Sequence, residues 1–460
     1  MFKKIEVWIL YLVILLSIVF AVAFGTLVRQ ELAGTKVGWV SKSALSLAEI
    51  PVNLIRVLRG SGLDLAIEDR FPSKGGFEGS PNSIESYLLL SKYDGVLEEG
   101  VVELIDLTNF EILHTWNPDV DAFNDLIEKV DEFTNLERDR NNSRHLIAHP
   151  KLTKNGALLF HGKATPLRQI DGCSKLIFQN DKDLYHHSIE TDMNGTIWTS
   201  SHLFPQSLPK EKIGRKIIEE GGYLDDAIVQ LSPDGEIIFE KSVSQIFIEN
   251  GLEYLIYGIG GNFSFHNLGF RADPIHLNDI QPVDFDGEYW KKGDVFLSLR
   301  AQSMVLLYRP STNEIVWKGI GPFFYQHDVD ILDGNRISIF NNNAKEFIDG
   351  NAVDGNSEVL IYDFRKNEYS SYLSKSLIKN DVQTPNQGRS EILPNGDLFI
   401  EETYYSRTLY FNADGSIRWT HINRSDDGKV YPVGWSRILY TKEEIQSVKN
   451  LIENKGTCNE

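Results

Sequence analysis

The stretch FFYQHDVDILDGNRISIFNNN, Phe323 to Asn343, alternates apolar and polar residues, turns at Asp333-Gly334-Asn335, and alternates again. A period of two is the mark of a half-buried strand, and Asp-Gly tolerates the positive φ that a tight hairpin turn demands. Yet this hairpin opens on Gln326, His327 and Asp328, where a buried strand would ordinarily begin with something apolar.

The same plan recurs along the chain. Asn155-Gly156, Asn194-Gly195, Asp234-Gly235, Asp286-Gly287, Asn395-Gly396 and Asp414-Gly415 are likewise flanked by alternating apolar residues. Hairpins such as GTIWTS, NEIVWKG and GSIRWTH carry a tryptophan near a strand end. A repeated hairpin with a periodic aromatic predicts an all-β chain, a six-bladed β-propeller whose radial blades protect one another's edges. Its blades are expected to begin near Tyr93, His149, His187, His276, His327 and Arg389. DVDAFNDLIEKVDEF, PKEKIGRKIIEEGG and SQIFIENGLEYLIYGIGG space their apolar residues like helices and read as insertions, the latter two separating the hairpins of one blade. A pair of β-sandwiches is the alternative fold.

The 460 residues carry 46 basic and 65 acidic side chains, a formal net charge of -19. Such a surface repels nucleic acid, and no Lys/Arg run offers an exception. An anionic small molecule can bind only where a few cationic side chains reverse the field. The run VWILYLVILLSIVFAVAFGTLV, Val7 to Val28, holds no charge and follows Lys3 and Lys4. It is long enough to cross a bilayer as a helix with a cytoplasmic N-terminus. AVA at Ala21 to Ala23 leaves a cleaved signal as the alternative. Either way the body is expected outside the cytoplasm, in the periplasm if the source is Gram-negative. The boundaries expected are an anchor at 1–29, a linker with short helices at 30–86, the propeller at 87–440, and a C-terminal helix and tail at 441–460. Within the linker, Pro51 is expected to start a short amphipathic helix. Cys173 and Cys458 are the only cysteines, without a CxxC pair, and they can either form a disulfide or stand as unrelated thiols.

The histidines carry the functional signal. YHHSIETDMNGTIW, IHLNDIQPVDFDGEYW and YQHDVDILDGNRISIF each open a strand with histidine before an Asn-Gly or Asp-Gly turn. In a propeller the innermost strands line the central channel, so His187, His276 and His327 are expected to meet at one mouth of it. Asn278, Asp279, Gln326 and Asp328 flank them and can fix ring tautomers. His186 should face away from the channel, since adjacent strand residues point oppositely. His145 and His149 in HLIAHP would suit a metal only on a helix, and Pro150 argues against one, so no metal ligands are assigned.

These motifs, with DVFLSLRAQSMVLLYRPSTNEIVWKG between them, resemble in order those of the bacterial arylsulfotransferases, over about Pro150 to Ile422. The resemblance implies a cofactor-free propeller that moves a sulfuryl group from an aryl sulfate to a phenol through a sulfohistidine. By position, His276, His327 and Arg300 match site residues of that family. On this reading His327 is the nucleophile, His276 its acid–base partner, and Arg300 and Arg389 stabilise the sulfuryl oxygens, with His187, Asn278, Gln326 and Lys345 lining the substrate site. Two departures stand out. Lys345 and Glu358 occupy places where relatives carry arginine, and the last blade opens NQGRSEIL with no histidine where the family's nucleophile is expected. His421 lies on the closing RWTHIN strand, expected to face away from the channel. Either another histidine serves here, or the propeller binds an anionic or aromatic ligand, or a partner protein, without catalysis. A quinone-dependent oxidoreductase is a third reading of the Trp-ended hairpins.

Overall fold

The computed structural model describes residues 6–32, 39–41, 43–44, 46–48, 65–127, 141–213, 223–257, 273–347 and 350–454. The chain divides into residues 1–64 and 65–460. The first unit holds helix α1 (Val7–Leu32), of which Val7–Gln30 is long and apolar enough to cross a membrane. The stretch headed by Pro51 lies outside the described residues.

The second unit is mostly β and propeller-like. Strand β1 (Gly76–Gly79) comes first, followed by the meander β2 (Tyr87–Asp94), β3 (Glu99–Asp106) and β4 (Glu111–Trp116). Next come β5 (Ala148–Leu152), β6 (Leu158–His161), β7 (Thr165–Ile170), β8 (Leu176–Thr191), β9 (Ile197–His202), β10 (Asp226–Leu231) and β11 (Ile237–Ser242), all in one seven-stranded sheet. A four-stranded sheet follows, β12 (Leu277–Pro282), β13 (Val295–Leu299), β14 (Met304–Arg309) and β15 (Glu314–Ile320). After it, β16 (Val329–Ile331) and β17 (Arg336–Asn341) pair with β20 (Glu358–Asp363) and β21 (Glu368–Tyr372), and the hairpin β18 (Ala344–Phe347) and β19 (Gly350–Val353) projects from between them. The last sheet holds β22 (Arg389–Ile392), β23 (Leu398–Glu402), β24 (Arg407–Phe411) and β25 (Ile417–Ile422), with β1 added at its outer edge, before the expected boundary at residue 87. Finally β26 (Arg437–Leu439) returns to pair with β2. The first sheet therefore takes its innermost strand from the C-terminal end of the chain, not from the Tyr93 region that the turn pattern suggested. Pairing β26 with β2 ties the two ends of this unit together in one sheet.

Five of the seven turns take the expected backbone, whereas Gly287 and Gly334 do not, so the Asp333-Gly334-Asn335 turn forms without positive φ. Gly156, Gly195, Gly235, Gly396 and Gly415 all sit at φ between 79° and 85°, which a side chain would resist. Short helices Val120–Asn124, Lys210–Ile213, Val243–Glu249 and Glu253–Tyr257 fall in the three expected insertions, whose remaining residues lie partly outside those described. The insertion at Lys210 joins β9 to β10 within a sheet as expected. The one at Val243 instead joins two sheets, because β11 already completes its own. At the C-terminus, helix Lys442–Asn454 starts from a reciprocal cap. Thr441 N–H donates to Glu444 Oε2 at 3.1 Å, and Glu444 N–H to Thr441 Oγ1 at 3.2 Å. Cys173 is disulfide-bonded, and Cys458 lies outside the described residues.

Two kinds of contact join the sheets. Apolar clusters fill the gaps: Leu89, Leu104 and Trp116 pack on Ile147 and Phe160, while within the seven-stranded sheet Leu159 and Leu167 pack on Tyr185 and Val229. Leu277 and Leu297 pack on Ile228 and Phe247, Phe296 and Leu307 on Val329 and Ile339, Phe340 and Val359 on Leu398 and Leu409, and Phe399 and Trp419 on Leu88 and Ile438. Buried polar latches join the innermost strands. Ser188 Oγ accepts from Ile280 N–H, Asp279 Oδ2 from Val329 N–H, and Asp328 Oδ2 from Ser390 N–H, each at 2.9 Å. Glu401 takes Trp435 and Ser436 N–H at 2.8 and 2.7 Å, and His149 N–H donates to Gly434 O at 3.0 Å, which completes the circuit. Each latch satisfies a strand-end N–H that no ladder reaches. Ser188→Ala leaves the Ile280 N–H buried without an acceptor and is expected to cost about 1–3 kcal/mol in a urea unfolding series, whereas Asp279→Asn, which keeps an acceptor oxygen, should cost less.

Candidate functional site

A cavity of about 390 Å³ opens where the innermost strands begin. His149, His186, His187, His202, His276 and His327 line it, together with Arg300 and Lys163. Against a protein of net charge -19 this is a local reversal, built from cations and imidazole donors.

The backbone explains why strands here are headed by histidine. His149, His187, His276, Gln387 and Trp435 all adopt left-handed φ between 50° and 58°, His187 at the register break inside β8 and the others at or just before the head of an innermost strand, and Tyr325 does so at 56° in the fourth sheet. A non-glycine residue there costs roughly 1–2 kcal/mol. Such strain persists only where the surrounding structure enforces it, and it gathers at functional sites. The turn breaks the alternation of the strand. At β8 the register with β9 shifts between His186 and Ile189, so His186 and His187 both line the cavity, where simple alternation had turned His186 away.

The three predicted histidines meet. The His187 ring centroid lies 5.3 Å from that of His276 and 6.4 Å from that of His327. They are not register-equivalent: His327 directly precedes the latch residue Asp328, whereas His276 stands three residues before Asp279, with a bulge at Leu277 to Asp279 taking up the difference.

Each ring is held differently. His276 Nδ1 bonds the Asp273 carboxylate, and its Nε2 faces Arg300 Nη1 at 3.3 Å. The Arg300 guanidinium lies 4.2 Å above the Tyr325 ring. His327 Nδ1 lies 2.7 Å from Asn342 Oδ1 and 2.8 Å from Tyr325 O. Both neighbours are acceptors, so Nδ1 carries the proton and Nε2 the lone pair, which receives Gln387 N–H at 2.9 Å. Burial, then the charge of Arg300, pushes the His327 imidazole down to about 3, so the ring is neutral. His187 Nδ1 lies 2.6 Å from His186 Nδ1, and burial with that neighbour holds His187 well below the usual imidazole range.

The remaining predicted residues do not line this cavity. Asn278 is buried with its amide donated to Gln326 O at 2.8 Å, and Gln326 staples Leu299 O and Met304 O at 3.1 and 2.9 Å. Arg389 lies deeper among the innermost strands, where the carboxylates of Asp328 and Glu391 hold its charge against burial. Lys345 sits on the β18–β19 hairpin, paired with Asp354 and lying 5.0 Å from the Phe324 ring. His421 packs on Phe77, as its strand position suggested. Sequence reading assigned no site role to His202, Asp226, Asp273, Gln387 or Trp435. They come from β-strand ends and loops whose convergence only the fold supplies, although a histidine ending the strand IWTSSH was a visible signal.

Comparison with known proteins bears on this geometry. The family model described as Arylsulfotransferase (ASST) matches residues 149–424. No curated protein matches the chain. Among solved structures, a protein of unknown function from Bacteroides caccae is similar at 11% identity and TM-score 0.45, covering 77% of this chain and 99% of its own. The WD40 β-propeller domain of Doa1 is similar at 10% identity and TM-score 0.38, covering 81% and 99%. A virginiamycin B lyase variant from Staphylococcus aureus is similar at 10% identity and TM-score 0.33, covering 61% and 72%. The matched family segment contains every histidine that lines the cavity, together with Arg300, and this chain belongs to the arylsulfotransferase family.

Proposed function

We propose that the protein transfers a sulfuryl group from an aryl sulfate to a phenolic acceptor, with His327 as the nucleophile and His276 as the acid–base group. One observation carries the division of labour: the two rings share a cavity, but Nδ1 of His276 faces a carboxylate and Nδ1 of His327 faces neutral acceptors. A carboxylate at Nδ1 fixes the ring orientation and leaves Nε2 as the position that takes up and gives back a proton. A buried ring with neutral partners stays uncharged and keeps its Nε2 lone pair.

In the first half-reaction the His327 Nε2 lone pair bonds sulfur while the aryl S–O bond breaks. As Arg300 leaves His276 Nε2 for the sulfuryl oxygens, His276, carrying a proton on each nitrogen, gives the Nε2 proton to the departing phenolate oxygen. In the second, an acceptor phenol loses its proton to His276 as its oxygen bonds sulfur, and the N–S bond returns its electrons to His327. Arg300 donates to the sulfuryl oxygens, where charge spreads in transfer. The Gln387 N–H, which covers Nε2 in the free protein, turns to a sulfuryl oxygen once that lone pair is engaged. His187 completes the wall of the site.

The same reading counts the seven-stranded sheet as two blades made continuous through β8, which with the other four sheets gives six. Each half supplies an innermost strand segment, at Ala148–Leu152 and after His187, and Leu159 and Leu167 of one half pack on Tyr185 and Val229 of the other. α1 then serves as the anchor, with Lys3 and Lys4 on the cytoplasmic side and the body outside.

With 4-nitrophenyl sulfate, nitrophenolate release should depend on added phenol. His327→Asn is expected to lower it by roughly 10³-fold or more and to remove the +80 Da histidine adduct, about the mass of a sulfuryl group, seen by mass spectrometry after donor alone. Retention of that adduct in the variant would sink the assignment. His276→Asn should show a loss that grows with leaving-group basicity, on the order of 10-fold for nitrophenyl sulfate and 10²–10⁴-fold for phenyl sulfate.

The neutral state of His327 also has a pH signature. Its folded value, about 3, lies below the ordinary 6.5, so the neutral form is the favoured one. Its contribution to stability is full above pH ~6.5 and is lost as pH falls toward about 3. His327→Asn should therefore lose less stability than the parent between pH 6.5 and 4, and ¹⁵N shifts should show an Nδ1-protonated neutral ring at pH 5.

A further inference from the structure

Beside the reacting pair stands a second cluster that the transfer reaction does not use. His186 Nε2, His202 Nδ1 and Asp226 Oδ1 lie within 4.8 Å of one another. They come from three adjacent strands, β8, β9 and β10, and His202 and Asp226 are direct cross-strand partners. Three neighbouring strands of one sheet form a stiffer frame than loops could.

The three atoms are buried, each nitrogen is 3.1 Å from Asp226 Oδ1, and no partner from outside the cluster reaches any of them. Buried polar atoms are seldom left so, and three facing one another ask for a common partner. Two imidazoles and a carboxylate form the donor set of a zinc-type site, and the two nitrogen-to-oxygen edges of 3.1 Å are close to the ~3.3 Å between ligands about 2.0–2.1 Å from a tetrahedral ion. The two rings stack with centroids 4.0 Å apart and must turn apart to aim both nitrogens at one ion. The outer contacts are those of ligands held in place. Asp226 Oδ2 accepts Leu277 N–H at 2.9 Å, and His186 Nδ1 is bonded to His187 Nδ1 at 2.6 Å. His186 and His202 also line the cavity, so an ion held there would be reached from it.

We propose that His186, His202 and Asp226 form a binding site for one divalent transition-metal ion of the zinc class at the wall of the cavity. The site sets the tautomer of its neighbour. With His186 Nε2 on the ion, His186 Nδ1 carries the proton and donates to His187 Nδ1, so His187 presents Nε2–H to the cavity. Without the ion, Asp226 takes a proton-bearing His186 Nε2, the shared bond reverses, and His187 Nε2 becomes an acceptor. The inference does not rest on the sulfuryl-transfer reading, because metal binding is measured without substrate.

The full-length protein in detergent, stripped by dialysis against a chelator, should bind one Zn²⁺ per chain by calorimetry and by elemental analysis. Co²⁺ in its place should give visible d–d absorption of a four-coordinate site. His202→Ala, the more exposed ligand, and Asp226→Asn, which keeps an acceptor for Leu277 N–H, should each weaken Zn²⁺ binding at least ~100-fold. His114→Ala, a histidine set edge-on to Trp116 away from the cavity, should leave it unchanged. Sub-stoichiometric Zn²⁺, absence of the Co²⁺ bands in the parent, or unchanged affinity in both ligand variants would overturn the proposal. The parent Co²⁺ spectrum decides the matter even if a variant fails to fold.

Discussion

The latch between neighbouring innermost strands is the contact on which the rest of this molecule depends. A buried oxygen, from Ser188, Asp279, Asp328 or Glu401, receives a backbone N–H from the head of the next sheet's inner strand. Apolar packing between the sheets supplies most of the attraction, but it is tolerant of small slips. A hydrogen bond to a named backbone atom is not. One latch per junction therefore fixes how far each sheet slides along its neighbour, and with it the height at which each strand head enters the cavity.

That precision has an electrostatic cost. The latches gather carboxylates where water is excluded, and burial pushes Asp279 and Asp328 up to about 7. Arg389 and Arg437 run between these strands and offset the concentration of charge. Arg437 bonds Glu190 Oε1 at 2.7 Å and the carbonyls of Pro150 and Ile189 at 3.0 and 2.6 Å, tying the first sheet to the seven-stranded one. The arginine predicted at the substrate site, Arg389, belongs to this inner group. Removing one member would leave an uncompensated buried charge, a defect worth about 3–5 kcal/mol.

Above the latches the backbone turns left-handed and the chemistry begins. Neighbouring rings with like covalent structure are differentiated by what faces Nδ1: a carboxylate for His276, an amide and a carbonyl for His327, another imidazole for His187. Such contacts decide protonation and tautomer, the properties that separate an acid from a nucleophile. Arg300 connects the first two, facing Nε2 of one ring and lowering the proton affinity of the other.

Much of this was legible in the chain itself. Period-two alternation around Asn-Gly and Asp-Gly turns is local chemistry, so the strands, the hairpins and the apolar N-terminal helix follow from neighbouring residues alone. The histidines at strand heads were likewise visible, because each stands out against an apolar pattern. What lay beyond reach depended on register and closure. That β26 rather than the Tyr93 region supplies an inner strand, that His186 turns inward with His187, and that Gln326 and Asn278 serve as staples all depend on a bulge or a partner far along the sequence. Residues such as His202, Asp226 and Asp273 acquire meaning only when separate strand ends are brought within a few ångströms, and that approach is set by latches between sheets, which no stretch of sequence contains.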